Sequence, residues 1–217
     1  MDTQELKTLI PLLAPFLTVF LGILAIPFIE VYKNYIEKKR LLNSLLEELK
    51  DEVKNLQKEY DDLFPCYVNA LKIKSDEEGT NYNVVVPVSI VLYSEEKLLN
   101  NHFQNLDQNV RQTLKCINSL IEPLNLITEK LHDLYHDAYQ DKDINNLKLQ
   151  KLIDLLGGYL CNMLFLRYNM NYLIDLLLKK NSNLKIHYEI DFKDAIHQQL
   201  HEMNKLHHYS FLMSRSE

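Results

Sequence analysis

From Thr8 to Ile29 the chain carries no charged residue: TLIPLLAPFLTVFLGILAIPFI. As an α-helix rising about 1.5 Å per residue this run measures about 33 Å, enough to cross a bilayer core of about 30 Å. It contains Pro11, Pro15 and Pro27, and each interior proline costs a soluble helix about 3 kcal/mol. Membrane helices tolerate proline better, because neighbouring groups satisfy the freed carbonyls. Pro11 also suits a first turn, where the missing N–H costs nothing. A secretory signal would start basic, carry a shorter apolar core and end in a small-residue cleavage pattern. This chain starts MDTQELK, and no A-x-A pattern precedes Glu30. The segment reads as a retained anchor over residues 1–32, ahead of one domain over 33–217.

Charge sets the orientation. Lys33, Lys38, Lys39 and Arg40 follow the apolar run, and only Lys7 and the amino terminus precede it. The positive-inside rule places the C-terminal domain in the cytoplasm of a single-pass protein. Three cysteines, Cys66, Cys116 and Cys161, show no close pairing or metal-like spacing. They read as reduced thiols of a cytosolic domain. A net charge of −6 argues against direct nucleic-acid binding, since such domains are usually basic. Only four glycines, and no tryptophan, appear. So little glycine disfavours phosphate-binding loops and turn-rich β folds.

The remaining pattern is helical. Leu45, Leu49, Val53, Leu56, Tyr60 and Leu63 recur at steps of three and four, with charged residues on the other faces. That seam suits either a parallel coiled coil or packing on its own domain, and no breaker separates it from the anchor. A loop is expected over Phe64–Asn83, marked by Pro65 and by SDEEGTN at Ser75–Asn81. Val84–Tyr93 is rich in β-branched residues, but Pro87 makes it an extended segment rather than a central strand. Ser94 is expected as an N-cap, with Glu95 and Glu96 in the first turn. Helical stretches follow over Ser94–Asn105, over Leu106–Gln140 with a kink at Pro123, and over Ile144–Lys180. The last is the most apolar. Asp154, Arg167 and Asp175 make it a core helix rather than a second span, because each mid-membrane charge costs about 2.5–3.5 kcal/mol. An extended LKIHYEI piece and a helix from Asp191 toward Leu212 complete the chain. The fold class is all-α: a transmembrane helix continuing into a cytosolic helical bundle with one short extended segment.

Two constellations could carry chemistry. His132 and His136 lie four apart, as do His197 and His201. Residues at that spacing share a helix face, so the two pairs could hold zinc or another divalent metal. No HExxH pattern supplies a general base beside them. Arg167 sits among Leu164, Phe165, Leu166 and Met170. A buried arginine must be paired, so it is expected either in a structural ion pair or as an anion contact. No catalytic set is assigned: nucleophile elbow, P-loop and dinucleotide fingerprint are all missing from the sequence.

Three resemblances bear on function. The helix Glu48-Leu49-Lys50-Asp51-Glu52-Val53-Lys54-Asn55-Leu56, the stretch Pro87–Tyr93 and the pair Leu124-Asn125 resemble parts of a group of bacterial single-span proteins of unknown biochemical activity. The Arg167-Tyr168-Asn169 region resembles that of HEPN ribonuclease domains, with Tyr172 where their histidine falls. The overall plan is also similar to that of membrane-anchored helical accessory proteins of bacterial antiviral systems. These likenesses imply an inner-membrane protein whose partners are membrane lipid, further copies of itself and a cytosolic protein. They imply a non-enzymatic effector or scaffold that disturbs the membrane. The alternative they leave open is a tethered enzyme, either a degenerate HEPN-type ribonuclease or a histidine-based metal hydrolase.

Overall fold

The computed structural model describes residues 3–75, 85–141, 146–180 and 183–213. Among these the chain is all-helical: α1 (Thr3–Lys74), α2 (Tyr93–Asn101), α3 (Gln108–Asp141), α4 (Asn146–Leu177), α5 (Phe192–Glu202) and α6 (Tyr209–Met213). Single 3-10 turns occupy Phe103–Asn105 and Leu206–His208. Contacts divide the chain into two compact units, Met1–Asn43 and Ser44–Glu217. The division falls after the basic cluster.

In the first unit the described apolar side chains face outward. Phe16, Phe20 and Phe28 are 73%, 61% and 76% exposed. Among the described residues, two helical stretches are long and apolar enough to cross a membrane. The one within α1 from Thr18 is 0% buried, and the one within α4 is 56% buried. Burying each such side chain would be worth about 1.5–3 kcal/mol.

The second unit is a bundle built on a core of leucine and tyrosine. Leu45, Leu49, Leu56, Tyr60 and Leu63 of α1 are each 0% exposed. The seam read from the sequence therefore packs inside its own chain. A coiled coil between copies through these residues is excluded in this fold, because their surface is already covered. α4 is the central helix. It packs against α3, α5 and α6, and buries Leu152, Ile153, Leu156, Tyr159, Leu160, Leu166 and Leu173.

Several local expectations are corrected. α1 does not end at Leu63: it continues helically to Lys74. Pro65 lies within it, exposed, while Tyr67 and Ala70 extend the buried seam beyond it. The apolar spacing of three and four residues outweighs one missing N–H. The surface loop predicted from Ser75–Asn81 lies, beyond Ser75, outside the described residues, as do Val84 and Ile144. Ser94 is not an N-cap. α2 starts at Tyr93, and Leu92 holds the capping position without a side-chain bond. Glu95 and Glu96 do occupy its first turn. That helix stops at Asn101, so Phe103–Asn105 forms a separate turn. The helix expected around Pro123 is present, with the proline inside it. LKIHYEI is irregular chain and turns.

The C-terminal helix is also broken. Asp191 caps α5 by accepting from the Lys193 N–H at 3.3 Å. At its far end Asn204 takes φ 57°, a left-handed conformation that asparagine tolerates. The N–H groups of Asn204 and Lys205 then donate to the carbonyls of His201 and Leu200, at 3.0 and 2.7 Å. This paired closure ends a helix by satisfying its last carbonyls. Lys179, at φ 53°, closes α4 the same way, with Lys180 N–H donating to Asp175 at 3.0 Å.

Candidate functional site

Arg167 is the focus of the largest buried polar network among the described residues. It is 8% exposed. Its Nη1 donates to Gln199 Oε1, and also to Glu202 Oε2 at 3.3 Å. Its Nη2 donates to Gln57 Oε1 at 3.4 Å. Three helices thus converge on one guanidinium: α4 carries it, α5 supplies Gln199 and Glu202, and α1 supplies Gln57. Asn171 Nδ2 donates to Gln199 Oε1 at 3.1 Å and to Glu202 Oε2 at 3.4 Å. Gln199 Nε2 donates to Glu202 at 3.0 Å. Burial pulls the Arg167 pKa down, and the Glu202 carboxylate partly offsets this. Arginine remains cationic in such settings.

An open pocket of about 580 Å³ adjoins the network, lined by Arg167, Asn171, Asp175, Lys180, Gln198 and Glu202 among others. Its surface is polar and of mixed sign. The neighbouring positions are turned to other tasks. Asn169 is fully buried, and its Nδ2 donates to the Phe165 carbonyl at 2.8 Å. Tyr168 brackets Lys185, with its hydroxyl 2.8 Å from both the backbone oxygen and the nitrogen. Tyr172 lies about 140° around the helix from Arg167 at 100° per residue. Its hydroxyl pKa is raised by burial first, then by Tyr188, Glu189 and Asp107. The arginine is therefore held by structural partners, and the tyrosine at the HEPN histidine position faces different neighbours.

The histidine pairs sit on different helices, His132 and His136 on α3 and His197 and His201 on α5. All four are exposed, and His197 meets the Tyr209 ring edge-on at 5.2 Å. Among the described residues no three His, Cys, Asp or Glu gather where one ion could bind them. The two pairs are thus not brought into a common site. Among the described residues the three cysteines form no disulfide. Burial raises the Cys66 pKa, and pushes that of Cys116 up to about 11. Neither is poised as a thiolate.

Sequence reasoning missed a clasp around the segment 85–92. Asn125 on α3 accepts from the Ile90 N–H at 2.8 Å, and donates to the Ile90 carbonyl at 2.9 Å. Glu59 on α1 accepts from the Val88 N–H at 3.1 Å and from the Tyr159 hydroxyl at 2.9 Å. Glu48 accepts from Ser94 twice, from its N–H at 3.1 Å and its hydroxyl at 2.6 Å. Asn125 and Glu59 thereby supply the partners a neighbouring strand would give the segment, and Glu48 fastens Ser94 at the start of α2. Pro87 is the only signal in the sequence, since it removes one N–H that would otherwise need an acceptor.

Beside this clasp Glu95 is 4% exposed, and its Oε1 has no hydrogen-bond partner. Burial, then Glu96 and Glu48, push its pKa up to about 7 from an ordinary 4.5. Folding therefore favours the protonated form. The stability this gives is full below about pH 4.5 and is lost as the pH rises through about 7. The thermal midpoint is expected to fall between pH 5 and 8, and Glu95→Gln should flatten that slope and raise the midpoint at pH 8. Parallel melting curves for the two proteins across that range would contradict this.

No family model, curated protein or solved structure matches this chain.

Proposed function

We propose that the chain is a membrane-anchored, non-enzymatic effector or scaffold. Its apolar N-terminal helix lies in the bacterial inner membrane and its helical bundle lies in the cytoplasm. Copies self-associate and disturb the bilayer when a cytosolic partner engages the bundle, with antiviral defence as the setting. The observation that carries this reading is the apolar stretch of α1, whose large apolar side chains are exposed while the bundle is packed on a core of its own. The capture of Arg167 by Gln57, Gln199 and Glu202 supports the non-enzymatic side. Because the Leu45–Leu63 seam is covered within the chain, self-association falls to the lipid-facing helix. There a Cβ added at Gly22 would meet nothing within 4 Å, so another helix could approach closely.

Crosslinking of the full chain in membranes, paired with dye release from liposomes, tests it. Crosslinked multimers with dye release once cell extract is added are the expected result. A monomer that releases no dye in either condition reduces the function to tethering alone.

A further inference from the structure

We propose that Lys33, Lys38, Lys39 and Arg40 form a collar that gathers anionic phospholipids around the base of the apolar helix. The inference rests on the anchor reading above and names the lipid partner of that anchor. All four residues lie in α1 and in the first compact unit. At about 100° per residue they point to about 0°, 140°, 240° and 340° around the axis. They therefore encircle the helix instead of forming a stripe. From Lys33 to Arg40 the helix rises about 10.5 Å, comparable with a Debye length of about 8 Å at physiological salt. The whole ring thus feels the phosphate layer of an adjoining bilayer.

Composition localises the attraction. Residues 30–40 carry four basic side chains against Glu30 and Glu37, a net of +2. The whole chain is −6 and residues 1–29 are −1, which leaves −7 on residues 41–217. An acidic bundle is repelled by an anionic surface, so preference for such lipids must arise at the collar. Tyr32 and Tyr35, 64% and 56% exposed, stand beside it as amphipathic rings of the kind found at headgroup level. A protein or nucleic-acid partner would meet one face of a helix. A ring directly beyond an apolar span matches a headgroup layer, which surrounds the helix on every side.

The chain lacks tryptophan, so Tyr32→Trp provides a single fluorescent reporter at the collar. The full chain bearing it is reconstituted into mixed phosphatidylcholine and phosphatidylglycerol vesicles, with one or the other lipid brominated on its acyl chains. Brominated phosphatidylglycerol is expected to quench more, corresponding to about two- to fivefold local enrichment. Replacing Lys33, Lys38, Lys39 and Arg40 by glutamine should bring the two lipids to parity. Equal quenching with the basic residues present, or enrichment that survives their replacement, overturns the collar while leaving the anchor intact. Quenching by neither lipid overturns the anchor and the collar together.

Discussion

Arg167→Ala is expected to lower the unfolding free energy by about 3 kcal/mol, measured by denaturant unfolding of the full chain in detergent. Removing one partner of a buried ion pair typically costs about 3–5 kcal/mol. The lower end applies here because the Glu202 side chain is 37% exposed and keeps part of its hydration. The loss has a second source in Gln199, which is fully buried and would retain only Asn171 and Glu202. Arg167→Lys should fall between the two proteins, since a single ammonium cannot reproduce the fork that reaches α1 and α5 together. An unchanged unfolding midpoint with lost membrane activity would move Arg167 from scaffold to site.

Leu56→Ala should cost about 2–5 kcal/mol, the usual range for emptying a packed leucine position. Leu56 is 0% exposed within a single chain. The loss should therefore be the same at every protein concentration. A midpoint that climbs with protein concentration would mean instead that the seam joins separate copies, as mass action requires of an interface. Lys54→Ala makes the control. It sits on the charged face, its side chain is 76% exposed, and it should change stability little.

The seam was legible because steps of three and four between Leu45 and Leu63 leave few other arrangements for six apolar residues. Its extension through Tyr67 and Ala70 was hidden by Pro65, whose local penalty is visible in sequence while the packing that outweighs it is not. Arg167 could be read as buried and paired from its apolar neighbours. Its partners could not be read, because Gln57 is 110 residues away and Gln199 is 32. Beyond Pro87 the Asn125 clasp left no trace, since it recognises the backbone of Ile90 and backbone carries no sequence. Ser94 looked like a cap by residue type, yet the Glu48 carboxylate takes both of its donors. The break after α5 turns on one left-handed residue, Asn204, in a stretch otherwise suited to continuing the helix. The histidine spacing was real but placed all four rings on exposed faces.

α1 leaves the ribosome long before some of its partners do. Tyr60 bonds to His208 at 2.9 Å across 148 residues, Tyr67 donates to the Phe211 carbonyl across 144, and Glu59 meets Tyr159 across 100. At about 5–20 residues per second, Tyr60 and Tyr67 wait several seconds or more for these partners to be synthesised. Over that interval nascent chains on neighbouring ribosomes present the same unpaired edge. Co-translational protection by chaperones, or spacing of ribosomes along the message, would shield that edge until its partners emerge.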